Sequence, residues 1–341
     1  MDLDTFLTIL YVQVDTWYKQ HLADKIVKHA GATARLTDSE VLTIALAGQW
    51  RGNGLPWQSE RGVVRFMQRA GRAWFPNMLG RSQFNVRVRW LWGAFVELQQ
   101  VVAAELRAVT DGYECVDCEP LPAYSNGQAL KENGHGLWQS MRGHGGTSGG
   151  WYTGDKLLLA VTPQGVATGW VVGAANIQDR WLLEALLSQR AGCPQLTGPA
   201  PSPHASRAER ACPPLGFIGS WPTAGSQPSV PYLADRGFNS RRWRQHWQAY
   251  YHATVLSVPP RNDPDHADWS KADCHWLASH RQPVETAFSV LDTVFELKHI
   301  NAHSRWGQLT RTAAKLAAYN IGLFINRALN RPLHAFATLI V

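Results

Sequence analysis

The chain is poor in the features that would place it outside a cell or in a membrane. Five cysteines among 341 residues are an odd number, so no complete disulfide framework is expected. No run of 18 uncharged apolar residues occurs, so nothing is expected to span a bilayer or bind a membrane through one. Asp2 and Asp4 stand where a secretory leader would carry positive charge, so no leader is expected. These absences predict free thiols in a reducing cytoplasm. Acids are also scarce where bases gather. From Arg51 to Trp90 eight arginines accompany one acid, Glu60, and after Glu296 there are six Lys or Arg and no Asp or Glu. With a net charge of +7, that placement suits a polyanionic partner, although a solvated basic face would look the same. What is abundant is apolar: 45% hydrophobic against 17% charged residues is enough to bury a core.

Residues 1 to about 110 read as an all-helical N-terminal domain. Thr37 and Glu40 form a capping-box pattern ahead of Val41, Leu42, Ile44 and Ala45. Ser82 opens a second helix, with Phe84, Val88 and Leu91 on one side and Arg81, Arg87 and Arg89 nearby. From about residue 111 to 341 the pattern becomes α/β. Tyr113 to Asp117 reads as a short strand ending in an acid. Lys156–Val161 and Val166–Val172 flank the turn Thr162-Pro163-Gln164-Gly165 as a hairpin, and Asp179 caps a helix carrying Trp181, Leu182, Leu183, Leu186 and Leu187. About 193–231 holds nine of the 19 prolines and reads as an insert without periodicity. Tyr232 to Asp235 is a second strand ending in an acid. A helix from Ser240 to about Tyr250, a strand from Ala253 to Val258, a loop over 259–273, a long helix from Ala278 to Leu297 and another from Arg305 to about Asn330 complete the order. Strands alternating with helices in this way predict a mixed sheet flanked by helices.

Asp117 and Asp235 each end an apolar strand, and the carboxyl ends of strands are where sites form in open α/β sheets. On the helix that follows, Val284, Phe288, Leu291 and Phe295 make one buried stripe, which leaves Glu285 at its edge, able to point toward the two aspartates. Three converging carboxylates repel one another unless a cation lies between them. Oxygen ligands of this kind suit Mg²⁺ or Mn²⁺, and two such ions support in-line phosphoryl transfer. The spacing alone does not select this trio from the 26 acids; surface charge or helix capping accounts for an isolated acid equally well.

The motifs in order resemble those of the DDE transposases of bacterial insertion sequences. They run as Cys115-Val116-Asp117-Cys118-Glu119-Pro120, then a Gly- and Ser-rich approach from His144 to Leu157. Asn176-Ile177-Gln178-Asp179-Arg180 and Asp235-Arg236-Gly237-Phe238 follow, then Arg281-Gln282-Pro283-Val284-Glu285 with Phe288 and Leu291, and last a basic segment from His299 to Gly307. The resemblance implies an RNase H-like catalytic domain over 111–341 behind a helical DNA-binding domain. It implies Asp117, Asp235 and Glu285 as ligands of two Mg²⁺ ions, with Mn²⁺ as substitute. The reaction would be hydrolysis at the element ends, followed by attack of the freed 3′-hydroxyl on target DNA. Arg281, Arg236, Lys298, Arg241, Arg242, Arg87 and Arg89 would contact double-stranded DNA, mostly through phosphates. A homodimer would hold two DNA ends, and the protein would sit with the nucleoid in the cytoplasm. Three features depart from the family pattern: Asp292 stands where Lys is frequent, Glu119 adds a carboxylate beside Asp117, and the Pro-rich insert is long. A nuclease of the same fold that cuts without joining, and a catalytically inactive DNA-binding derivative, are the rival expectations.

Other patterns have plainer readings. Cys115 and Cys118 form a C-x-x-C pair, but residues three apart on a strand face opposite sides and chelate zinc poorly. In Ser240-Arg241-Arg242-Trp243-Arg244-Gln245-His246-Trp247, Trp243 and Trp247 read as the buried face of an amphipathic helix, with the arginines free to meet phosphate. His135 and His144 flank a Gly-rich stretch and read as loop residues.

Overall fold

The computed structural model describes residues 1–25, 34–52, 54–107, 112–123, 141–145, 150–192, 218–219, 230–300, 302 and 304–340. Helices α1 (Leu3–Trp17), α2 (Asp38–Ala47), α3 (Glu60–Arg69), α4 (Arg81–Trp90) and α5 (Trp92–Arg107) come first. Strands β1 (Glu114–Pro122), β2 (Met141–His144), β3 (Trp151–Val161) and β4 (Ala167–Ala174) follow, then α6 (Asp179–Arg190), β5 (Ile218–Gly219), β6 (Tyr232–Ala234), α7 (Arg241–Tyr251) and β7 (Val255–Leu256). The chain ends in α8 (Lys271–His280), α9 (Gln282–Thr293) and α10 (Arg305–Ala328). Contacts divide it into two compact units, 1–108 with 289–341, and 109–288.

The described regular elements of the first unit are helical. Local chemistry starts them. The Glu40 N–H donates to the Thr37 hydroxyl at 3.2 Å, and the Thr37 N–H donates to the Glu40 carboxylate at 2.6 Å, closing the expected capping box on α2. Ser304 caps α10 by accepting the Gly307 N–H at 3.2 Å. Trp50 packs edge-on against Phe6 at 5.1 Å and Phe295 at 5.0 Å. Ala313, Ala314, Ala317 and Ala318 of α10 are buried, and the Asn320 amide donates to the Gln99 carbonyl of α5 at 3.2 Å. A helix buried nearly all round must be enclosed by others. That is why residues 289–341 group with the N-terminal helices, where the sequence reading placed them with the α/β region.

Lys315 is buried in this helical core and donates to the Phe295 carbonyl. Burial, then Arg51, lowers its ammonium to about 7. Its proton is held more tightly unfolded, so stability rises as pH climbs from about 7 toward the unfolded value near 10.5. Lys315→Met is expected to raise stability at pH 7 by about 1–4 kcal/mol and to flatten that rise. Chemical denaturation at pH 7 and pH 10 checks it; a destabilised variant at both values would refute the assignment.

The second unit is built on a mixed sheet in the order β5-β4-β3-β1-β6-β7, with β2 added on β3. β1, β3, β4 and β5 pair antiparallel in sequence, while β1, β6 and β7 run parallel. The expected hairpin is β3–β4, closed by Gly165 at φ 82°. Most of the stretch from 193 to 231 lies outside the described residues. Within it, Ile218 and Gly219 pair with Val172 and Val171 and so extend the sheet edge. Helices α6 and α7 cover one face through Leu182, Leu183, Leu186, Trp243 and Trp247, packed on Val116, Leu158 and Val171.

Two buried polar clusters fix this layer. Arg190, at the end of α6, donates to Glu114 of β1 and to the Tyr232 hydroxyl of β6, both at 2.6 Å, and to Thr168 of β4 at 3.1 Å. It therefore ties one helix end to three strands. Glu184 accepts from Trp247 at 3.0 Å and from the Tyr251 hydroxyl at 2.6 Å, and meets His246 at 3.1 Å, which joins α6 to α7.

The C-terminal part of this unit departs from expectation. In place of one helix from 278 to 297, α8 begins at Lys271, capped by Ser270 with Asp273, and a one-residue break at Arg281 separates it from α9. Pro283 is the cause: it has no N–H to donate and its ring obstructs a continuous helix. Arg281 therefore sits at the junction, not one turn before Glu285 on the same helix. Asp179 is likewise not a helix cap; Gln178 holds the cap position, and the Asp179 side chain is engaged elsewhere.

Candidate active site

The strand register brings two of the predicted acids together. In the parallel pair β1–β6, Glu114, Cys115 and Val116 face Tyr232, Leu233 and Ala234. One further step sets Asp117 opposite Asp235, across a strand spacing of about 4.8 Å. Asp235 follows the end of β6, but Asp117 lies inside β1 and not at its end as expected: β1 runs on to Pro122 because residues 118–122 keep pairing with β3 after the β1–β6 pairing stops. The third acid at this place is Asp179, the first residue of α6. An ideal Cβ on Gly237 would lie 3.0 Å from Asp235 Oδ1 and 3.2 Å from Asp179 Oδ2, so glycine here makes room between two carboxylates. Asp235 Oδ1 also accepts the Gly237 N–H at 2.8 Å.

Cations already answer part of this charge. Arg281 Nη2 donates to Asp117 Oδ2 at 3.0 Å, and its Nε is buried without a hydrogen-bond partner among the described residues. Lys156 Nζ donates to Asp179 Oδ1 at 2.7 Å and to the Ile177 carbonyl at 3.1 Å. The balance still favours protons. Burial first, then Asp235, raise the Asp117 carboxyl to about 7 against the pull of Arg281 and the Cys118 N–H. Burial and then Asp179 raise Asp235 as well.

Glu285 is on α9. It is exposed in the first turn of α9, and among the described residues no group of three or more His, Cys, Asp or Glu is set to hold a metal ion. Of the other residues expected to meet DNA, Arg236, Arg241 and Arg242 are exposed and make no ion pair with a described residue. Arg87 is engaged in structure, donating to Asp38 and the Leu36 carbonyl at the start of α2. Arg89 is exposed and lines a cavity of about 210 Å³ with Phe84 and Val88. Lys298 belongs to the helical unit, where its N–H and ammonium meet Asp292, the residue standing where Lys was expected.

Cys115 and Cys118 are free thiols on β1. Cys115 donates to the His280 carbonyl at 3.0 Å, and burial raises its thiol to about 12. Burial raises Cys118 too, so neither thiol is prepared as a zinc thiolate. His144 is described and packs edge-on against Trp151 at 5.3 Å; His135 lies outside the described residues. Sequence reasoning missed Asp179 as a neighbour of Asp235 and Lys156 as its partner. The Asn176-to-Arg180 motif was the available signal, but it points to no partner.

Because Asp117 and Asp235 bind protons more tightly folded than unfolded, metal-free stability is fullest below about pH 4 and is lost as pH rises toward 7. A fall of about 2–4 kcal/mol is expected between pH 4 and pH 8, and it is expected to be smaller in Asp117→Asn. Urea denaturation across that range checks it, and a flat wild-type profile would contradict the paired-carboxylate geometry.

These features define a mixed α/β protein with two neighbouring carboxylates where the parallel β1–β6 pairing stops. Comparison with protein-family models, curated proteins and solved structures gave no significant match.

Proposed function

We propose that the chain cleaves and rejoins DNA by metal-dependent phosphoryl transfer, as a DDE-type transposase with an RNase H-like catalytic domain and a helical DNA-binding region. The observation that carries this reading is the strand register that sets Asp117 beside Asp235, two half-buried carboxylates that burial first, and neighbouring carboxylates second, push toward the protonated form. Such an oxygen-donor pair fits Mg²⁺ or Mn²⁺ better than zinc. A divalent cation there would supply Lewis-acid polarisation of a phosphodiester and an acidified water.

The remaining roles belong to the chain itself. Asp117 and Asp235 would hold the cation, Lys156 keeps Asp179 in place beside Asp235, and Arg281 steadies Asp117. Glu285 is the third ligand that the motif order implies, brought in when DNA is bound. Water attacks phosphorus and the bond to the 3′ oxygen breaks, releasing a 3′-hydroxyl at the element end. That hydroxyl then attacks a phosphodiester of target DNA and displaces its 3′ oxygen. Arg241 and Arg242 sit in the first turn of α7, where no acid accompanies them. Positive charge there opposes the helix dipole, a placement that phosphate contact would offset. A DNA-bound homodimer, a cytoplasmic nucleoid location and the contacts of Arg236, Lys298 and Arg89 belong to the same reading.

One observation favours the inactive DNA-binding derivative: the Arg281 guanidinium already donates to Asp117. Labelled DNA carrying the flanking terminal repeats decides, incubated with Mg²⁺ or Mn²⁺. Cutting at the ends with joined products supports the transposase, cutting without joining leaves a nuclease, and end binding without cutting leaves the derivative.

A further inference from the structure

Beside the acids lies a cleft that shares Lys156, Asp179 and Gly237 with them and has further lining that the cleavage chemistry does not use. Its volume is about 460 Å³, and its lining includes Arg142, His144, Trp151, Lys156, Asn176 and Asp179, with Gly237 at the acid end. One wall is the β2–β3 hairpin. His144 pairs directly with Trp151 and Arg142 with Thr153, so Arg142, His144 and Trp151 project from one face of it. A Cβ on Gly143 would lie 2.3 Å from the Ala175 carbonyl oxygen, so β2 rests directly on the segment leading into α6. Gly143 alternates with Arg142 and His144, so this contact is made by the opposite face of the hairpin, and it is the shared cleft lining that brings Trp151 and Asp179 together.

Trp151 leaves 57% of its surface exposed, an unusual state for so large an apolar ring. The Arg142 guanidinium lies 4.9 Å from its ring centroid, and His144 meets its edge. Arg142 makes no ion pair with a described residue. An open indole backed by a cation and an imidazole is a stacking surface with a positive rim. The Asn176 amide can both donate to and accept from a base edge. A paired base inside a duplex offers no free face to such a surface; an unpaired base does.

The geometry points to this cleft as the binding site for an unpaired base at a DNA strand end, stacked on Trp151, with Arg142 on the adjoining phosphate and the strand leading to Asp179 and Asp235. This rests on the phosphoryl-transfer reading of the acids and adds how the strand is presented to them. It makes the β2–β3 hairpin a reader of frayed or overhanging ends, separate from the basic residues that meet duplex phosphates.

The test is fluorescence anisotropy of a labelled blunt duplex and of the same duplex with two unpaired bases, without divalent metal so that no strand is cut. Wild type is expected to prefer the unpaired end. Trp151→Ala is expected to weaken that complex by about 5- to 150-fold, the range of base–aromatic stacking, with blunt binding within about twofold. Trp151→Phe is expected to keep most of the preference, which separates loss of stacking from loss of fold. Equal binding of both duplexes by wild type, or an unchanged preference in Trp151→Ala, overturns the cleft assignment. Cleavage of the same duplexes in Mn²⁺ keeps the two readings apart: cutting that persists while Trp151 proves irrelevant removes the cleft alone, and wild type that binds neither duplex removes both.

Discussion

Replacing Asp117 or Asp235 with Asn is expected to lower metal-dependent DNA cleavage at least on the order of 10³-fold, with the fold retained. On the proposed reading the two carboxylates set side by side by the register share one cation, so losing either removes one of its two strand-borne ligands. Asp179→Asn and Glu285→Gln then separate two contributions. Asp179 shares the space around Gly237 with Asp235, so its loss is expected to alter cation affinity even without DNA. Glu285 is exposed, so Glu285→Gln is expected to abolish cutting while leaving DNA-free Mn²⁺ affinity within about threefold, under 1 kcal/mol. Cleavage that survives loss of both aspartates would show that the site lies elsewhere.

The largest structural effect is expected at Arg190. Its side chain is 6% exposed and that of Glu114 is 1% exposed, and the pair lies 2.6 Å apart. Arg190→Ala leaves the Glu114 charge buried without its main partner and is expected to cost about 3–5 kcal/mol. For a unit of this size that lowers the melting temperature by about 6–20 °C, readable by circular dichroism. A double substitution, Glu114→Gln with Arg190→Met, is expected to recover most of the loss, because the cost comes chiefly from the stranded charge. A melting temperature unchanged in Arg190→Ala would show that the clamp does not hold β1, β4 and β6 together.

Features decided within a few residues were legible in the sequence. Thr37 and Glu40 carry their capping box in four positions, and Gly165 marks the β3–β4 turn. Asp117 and Asp235 stand out because each follows a short apolar run; the run before Asp235 is a strand that ends there, whereas the strand through Asp117 continues to Pro122 on its pairing with β3. What the sequence hid depends on partners far along the chain. Lys156 claims Asp179 across 23 residues and so turns an expected helix cap into a site neighbour. Arg190 meets Glu114 across 76 residues, and neither has a local pattern that names the other. The break before α9 was visible in Pro283, but the strong apolar stripe through Val284, Phe288, Leu291 and Phe295 argued for one continuous helix. The grouping of α10 with the N-terminal helices follows from packing on α5, which periodicity alone does not reveal.

The central claim is that the paired aspartates hold a divalent cation, and titration of the DNA-free protein with Mn²⁺, followed by electron paramagnetic resonance, tests it most directly. Binding is expected to strengthen from pH 6 to pH 8 as Asp117, raised to about 7, loses its proton, and to be lost in Asp117→Asn and Asp235→Asn. Mn²⁺ affinity that neither substitution changes would contradict it.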